Sequence, residues 1–302
     1  MSAAPGLAVE YYDRYDRCLK VEAIFGESFL RWAYESAAGR LSVEALVKRA
    51  FFSRAYGWWA ASARSRSQIP GFVAKYGVDL TEAEDSLGDF RSFNAFFTRR
   101  LKPEARPLPP ESGAVVFPAD GRHLGYQTLS EVDSVYAKGQ RFDLPRLLGD
   151  PELAERYRDG TAVISRLCPV DYHRFHFCAA GTPGPGKTIN GALYSVNPIA
   201  LRRNLGILVE NKRILTELDT ASTLGKILIL EIGATNVGSI IQTYTPDTPV
   251  TRGAEKGYFA FGGSMTMMIF EPGKVRLESD LVTQTARGIE LFARMGDRLG
   301  LA

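Results

Sequence analysis

Along the first third of the chain, apolar residues return at helical intervals. Phe25, Phe29, Trp32 and Ala33 fall at i, i+4, i+7 and i+8, while Glu27, Arg31 and Glu35 lie on other faces, which predicts an amphipathic helix. Ser42 is a suitable N-cap for a second helix, in which Val43, Leu46, Val47, Ala50 and Phe51 share one stripe. Phe52, Tyr56, Trp58 and Trp59 follow closely. Residues 20 to about 100 are therefore expected to be helical.

The period changes after LKPEARPLPPE at 101–111, a proline-rich stretch that reads as a linker. Beyond it, short apolar runs alternate with turn signals. The runs are GAVVF at 113–117, TAVIS at 161–165, KILILEI at 226–232 and MTMMIF at 265–270, and PADG, GTPGPG and EPGK lie among them. Many short strands with Gly/Pro turns predict a largely antiparallel barrel or sandwich. A last helix over about 281–298 is expected to close the chain. The fold class is thus α+β, with N-terminal amphipathic helices in 1–100 and a β-rich catalytic region in 101–302.

Composition narrows the partners more than the fold. The chain has 302 residues, of which 45% are hydrophobic and 24% charged, enough to bury a core of good size. A net charge of +3 gives no argument for nucleic acid. The basic character is local: Arg40, Lys48, Arg49, Arg54, Arg64 and Arg66 face a single acidic residue, Glu44, over that stretch. Basic, aromatic, amphipathic helices suit attachment to an anionic membrane surface, although the same stripes would also serve to pack on the rest of the protein. No window approaches the roughly 18 apolar residues of a spanning helix, and the N-terminus has no signal-peptide pattern, so a membrane would be met from the side. Cys18, Cys168 and Cys178 form no CxxC pair, and His173 and His176 lack an HExxH context. Neither a disulfide framework nor a metal site is expected.

Four segments carry candidate chemistry: PADG at 118–121, DYHRFH at 171–176, EIGATNVGSI at 231–240 and FGGSM at 261–265. Each has a plain reading as a turn, a surface histidine pair or a strand entry. Together they supply a serine, a base and a carboxylate, in Ser264, His173 or His176, and Asp120. A serine needs a base to take its proton, and the base needs a partner to hold its tautomer. No GxSxG elbow surrounds Ser264, since 262–266 read GGSMT. Two glycines precede it instead, which leaves the Gly263 carbonyl open to close approach and makes it the nearest electrophile.

From FNAFFTRRLKPEARPL at 93–108 to the strand after Ser264, the chain resembles the phosphatidylserine decarboxylases, and more narrowly their bacterial branch of about this length. PADG, DYHRFH, GALYSVNPIAL at 191–201, IGATNVGSI at 232–240 and the glycine–serine segment carry the resemblance, all in one order. Two departures stand out: Met265 replaces the family's usual Thr or Ser, and NKR at 211–213 replaces an NER-like segment.

The resemblance implies autocatalytic cleavage between Gly263 and Ser264 into chains 1–263 and 264–302, with Ser264 converted to a covalent pyruvoyl group. Asp120, His176 and Ser264 would form the self-processing triad, and His173 would deliver a proton during decarboxylation, a division that spacing alone does not make. The ketone would condense with the amine of phosphatidylserine and act as the electron sink for loss of CO2, giving phosphatidylethanolamine. A peripheral place on the cytoplasmic face of the cell membrane and a homodimer of processed units are also implied. Two rivals remain open at this stage: a serine hydrolase using the same residues, and an unprocessed lipid-binding relative.

Overall fold

The computed structural model describes residues 9–23, 32, 36, 57–129, 143–196, 206–233, 240–262 and 264–302. The two amphipathic helices expected near 25–33 and 42–51 lie outside these residues, save for Trp32.

Where the first hundred residues are described, they are only partly helical. Glu10–Asp13 (β1) and Cys18–Val21 (β2) form an antiparallel hairpin. Its turn is built by Asp13, whose carboxylate accepts the Tyr15 and Asp16 amides. Further on come a helical stretch at 57–61, Ile69–Tyr76 (α1) and Phe93–Phe97 (α2). Ser92 caps α2 by accepting the Ala95 amide at 3.1 Å, and Ser65 Oγ takes the Phe93 amide at 2.9 Å. Phe72, Phe93, Phe96 and Phe97 then pack with Phe261 in one aromatic cluster.

The remaining strands are Ala114–Val116 (β3), Gly121–Tyr126 (β4), Thr161–Leu167 (β5), Arg174–His176 (β6), Thr182–Pro183 (β7), Lys187–Ile189 (β8), Arg213–Asp219 (β9), Lys226–Gly233 (β10), Ile240–Gln242 (β11), Glu255–Phe259 (β12), Ser264–Phe270 (β13), Arg276–Leu277 (β14), Glu290–Ala293 (β15) and Arg298–Leu301 (β16). One sheet runs in the order β2-β1-β15-β4-β5-β13-β10-β9-β7, with β8 also on β9. Two three-stranded sheets, β11-β12-β6 and β14-β16-β3, complete the architecture. Pairing is antiparallel apart from β1 with β15.

Every residue of β5 and β13 is buried, because the large sheet is covered on both faces. Ile164, Leu230, Met265 and Met267 fill one core, and Val163, Ile229, Met268 and Phe270 fill the other. That double burial explains why these strands read as unbroken apolar runs rather than as alternating ones.

Two sequence expectations are corrected here. The expected barrel does not close: among the described residues the large sheet is open, ending on β2 at one side and β7 and β8 at the other. Nor does a helix run over 281–298. Ser279–Ala286 (α3) stops before Gly288, whose φ of 71° breaks the helical path, and Glu290–Ala293 then enters the sheet between β1 and β4. The strand is held by its alternation, Leu291 and Ala293 pointing into a core that a helix would bring only one of them to.

Candidate active site

Ser264 opens β13, opposite Gly233 of β10 and Leu167 of β5, and is fully buried. The chain reaches it through Phe261, whose amide donates to Asn94 Oδ1 at 2.9 Å, and Gly262, whose φ of 145° favours glycine. The α2 cluster thus anchors the strand entry directly. Asn211 steadies the opposite strand end: its amide bonds both backbone groups of Tyr194 and the Gly233 carbonyl.

His173 comes from the segment just before β6. Its Nδ1 lies 3.1 Å from Ser264 Oγ, and its Nε2 lies 2.8 Å from the Cys168 carbonyl oxygen. A carbonyl oxygen accepts, so Nε2 carries the hydrogen and the Nδ1 lone pair receives the serine hydroxyl. The same carbonyl takes the Asp171 amide at 2.9 Å, and Asp171 returns a carboxylate bond to the Cys168 amide. Arg122 binds that carboxylate, so the Cys168–Asp171 turn is fixed from several sides. The Phe97 ring stacks on the imidazole, with centroids 3.7 Å apart. Burial, which outweighs the bond to the Cys168 carbonyl, pushes the His173 pKa down to about 3, helped by the positive charge of Arg99. The imidazole is therefore neutral near pH 7 and able to accept a proton.

The other two expected members of the triad make their hydrogen bonds elsewhere and none to Ser264. His176 Nδ1 donates to the Gly253 carbonyl at 2.9 Å, and its Nε2 accepts from the Tyr172 hydroxyl at 3.1 Å. Asp120 is held by Arg106 through both carboxylate oxygens, at 2.9 and 2.5 Å, and by the Met295 amide at 2.8 Å. The chain thus brings His173 to Ser264, where the sequence reading had placed His176. Burial lowers the His176 pKa, and the Asp120 charge acts on it through space in the opposite sense. Gly263, the other half of the expected cleavage site, lies outside the described residues.

Several site features were absent from the sequence reading. Phe97 lies inside FNAFFTRRLKPEARPL at 93–108, but its stacking partner is 76 positions away along the chain. A carbonyl such as that of Cys168 leaves no mark in a sequence at all. Met265 is also resolved: it points to the opposite face of β13 from Ser264, into the core with Leu230 and Ile232.

A family model described as phosphatidylserine decarboxylase matches residues 93–300. A phosphatidylserine decarboxylase proenzyme of Desulfitobacterium hafniense is 43% identical over 293 residues, covering 97% of this chain and 98% of the relative. The proenzyme of Chlamydia pneumoniae is 42% identical, covering 96% of each chain. That of Clostridium perfringens is 39% identical, covering 97% of this chain and 99% of its own. The chain belongs to the phosphatidylserine decarboxylase family.

For a member of this family, the chemistry of the donor set fits a pyruvoyl group made from Ser264. The serine is the first residue of its strand, a glycine pair precedes it, and its hydroxyl rests on the lone pair of a neutral imidazole. Among the described residues no group of His, Cys, Asp and Glu is arranged to hold a metal, and no helix is long and apolar enough to cross a membrane.

Proposed function

We propose that this chain is a self-processing proenzyme that, once cleaved, decarboxylates phosphatidylserine to phosphatidylethanolamine. The observation that carries the reading is the buried Ser264–His173 couple at the start of β13, in a chain of this family. Both residues are inaccessible to solvent, which favours attack on the protein's own backbone over attack on an external ester.

In the precursor, a base takes the Ser264 hydroxyl proton and Oγ adds to the Gly263 carbonyl carbon. Breaking the Gly263–Ser264 amide leaves an ester and a free amine at residue 264. Loss of the α-proton expels the Gly263 carboxylate by breaking the Cβ–Oγ bond, and residue 264 becomes dehydroalanine. Water then releases ammonia and leaves a ketone on the first residue of the 264–302 chain. His173 is the base in contact with the hydroxyl, and its burial pairs a weak base with a proton that, among the described residues, has no other acceptor in contact at that oxygen. Asp120 and His176 are proposed to support this step from the neighbouring layer.

When formed, the pyruvoyl group supplies the electron sink that no standard side chain offers to a departing carboxylate. This chain's residues do the rest. His173 relays a proton through Nδ1 beside residue 264. Phe97, backed by Phe261, covers one face of the imidazole, and the Cys168 carbonyl fixes its tautomer. The basic, aromatic segment before residue 66 is proposed to bring the enzyme to an anionic bilayer as a peripheral protein of the cytoplasmic face, as a homodimer of processed units.

The test is the intact mass of the purified protein under denaturing conditions. Two fragments dividing at Gly263/Ser264 are expected, the smaller blocked to N-terminal sequencing and reactive with a hydrazine. A single full-length species without CO2 release from phosphatidylserine would overturn the reading.

A further inference from the structure

Away from Ser264, the large sheet and the β11-β12-β6 sheet are tied by a fully buried ion pair. Lys256 and Glu231 are both 0% exposed, with Nζ 2.9 Å from Glu231 Oε2. Lys256 also donates to Gln242 Oε1 at 2.8 Å, and the Gln242 amide returns to Glu231 Oε2 at 2.7 Å. The triangle joins β10, β11 and β12. A β-bulge creates it: the register of β12 against β6 shifts between Glu255 and Gly257, and Lys256, the extra residue, turns inward. A Cβ at position 257 would stand 2.1 Å from the Ile241 carbonyl oxygen, so the bulge depends on glycine there. The ammonium lies 5.7 Å from the centre of the Phe175 ring, between the two histidines in sequence.

A buried pair of this kind is a poor source of stability, because desolvating two charges cancels most of their attraction and an apolar pair would serve as well. What it supplies is geometry. Glu231 stands opposite Thr266 on β13, and Ser264 is two residues along on the same face. Lys256 belongs to β12, which holds β6 and bonds the His173 carbonyl through the Phe259 amide at 3.0 Å. The ion pair and the Ser264–His173 hydrogen bond therefore span the same gap between the same two sheets.

We propose that Glu231 and Lys256 are positioning residues, which lock the β11-β12-β6 sheet against β10 and β13 at the spacing where His173 meets Ser264. The inference rests on the self-processing reaction proposed above. Placement matters at this scale, since a misplacement of about 1 Å can cost about 10²-fold in rate.

Full-length precursor is purified as wild type, as the double variant Glu231→Gln/Lys256→Met and as Gln242→Met. Cleavage is followed by intact mass beside thermal melting, and kcat and KM are measured on the cleaved fraction. Removing both charges together strands neither, so the double variant is expected to melt at or above the wild-type temperature. It should nonetheless cleave at least about tenfold more slowly, with kcat reduced and KM unchanged. Gln242→Met, at the half-buried corner, should slow cleavage by a smaller factor and lower the melting temperature, because Lys256 and Glu231 each lose a hydrogen bond. A folded double variant that cleaves at the wild-type rate overturns the inference alone. Should that variant not fold, wild-type cleavage in Gln242→Met overturns it. A wild-type chain that never cleaves overturns the self-processing reading and this inference with it.

Discussion

At the scale of single residues, one hydrogen bond organises the site. His173 Nδ1 meets Ser264 Oγ because Nε2 is already committed to the Cys168 carbonyl, and burial keeps the ring neutral. His173→Ala removes the imidazole in contact with residue 264 and is expected to lower CO2 release by at least about 10²-fold. Chain length, read by mass in the same sample, then assigns the first step. An uncleaved His173→Ala chain makes His173 the base for Ser264. A cleaved and inactive one gives that role to His176, as the resemblance implies, through a rearranged site. The same burial sets an acid limit on stability. His173 and His123 both titrate at about 3 in the folded chain, in each case chiefly through desolvation. An unfolded histidine binds its proton near pH 6.5, so the unfolded state gains protons below that value which the folded state refuses until about pH 3. Their contribution is thus complete above about pH 6.5 and is lost as the pH falls, at about 1.4 kcal/mol per pH unit for each histidine. Glu22 adds a loss of the same sign lower down: burial opposes its ionisation, but Arg166 holds it at about 2. Melting temperature should fall as the pH drops from about 6.5 to 5, with a shallower slope in His123→Gln. A flat profile over that range would contradict the assignment.

At the scale of elements, β13 shows how a strand separates two jobs by period. Ser264, Thr266 and Met268 face one side, while Met265, Met267 and Ile269 face the other. Met265 thus works as a core residue, although it occupies the position where the family usually carries a small hydroxyl. Met265→Thr is expected to destabilise the chain by about 2–5 kcal/mol, the range for large-to-small changes in a core, while leaving the cleavage rate at 25 °C unchanged. Faster cleavage by that variant would mean that residue 265 reaches the reacting peptide after all. The hairpin of β1 and β2 illustrates the opposite relation, in which an element is defined by its partners. Glu22, just past β2, is buried against Arg166 and Arg122, and β1 lies on β15. Nothing in EYYDRYDRCLKV states that its sheet partner is 279 residues later.

At the scale of the whole molecule, the site is an assembly of distant segments. The 93–97 helix supplies Phe97, the 168–173 turn supplies the imidazole and its holder, and β13 supplies the serine. The cleaved small chain, 264–302, would contribute β13, β14, α3, β15 and β16, so it remains woven into both the large sheet and the β14-β16-β3 sheet. Cleavage is therefore expected to leave the two chains associated under native conditions. For the membrane, the full chain should float with anionic vesicles and lose that association as salt is raised, since the proposed contact is largely electrostatic. A variant lacking residues 24–56, with Trp58, Arg64 and Arg66 also changed to Ala, that floats equally well would place the contact outside residues 20–66.

The candidate residue types were legible in the sequence. The serine after two glycines, the aspartate of PADG and the two histidines of DYHRFH are residue types, and reactivity depends first on type. The buried strands KILILEI and MTMMIF were legible too, because a strand covered on both faces has to be apolar throughout. The end of the chain was misread, because LFARMG fits a helix locally and its burial beside β1 and β4 was decided by strands far away in sequence. The tertiary structure alone decided which histidine meets Ser264. The two histidines stand three residues apart in one motif, and the choice between them follows from where a turn, a carbonyl and a bulged strand place each ring. A sequence determines which groups are present, whereas hydrogen-bond direction and distance arise only when the chain closes on itself.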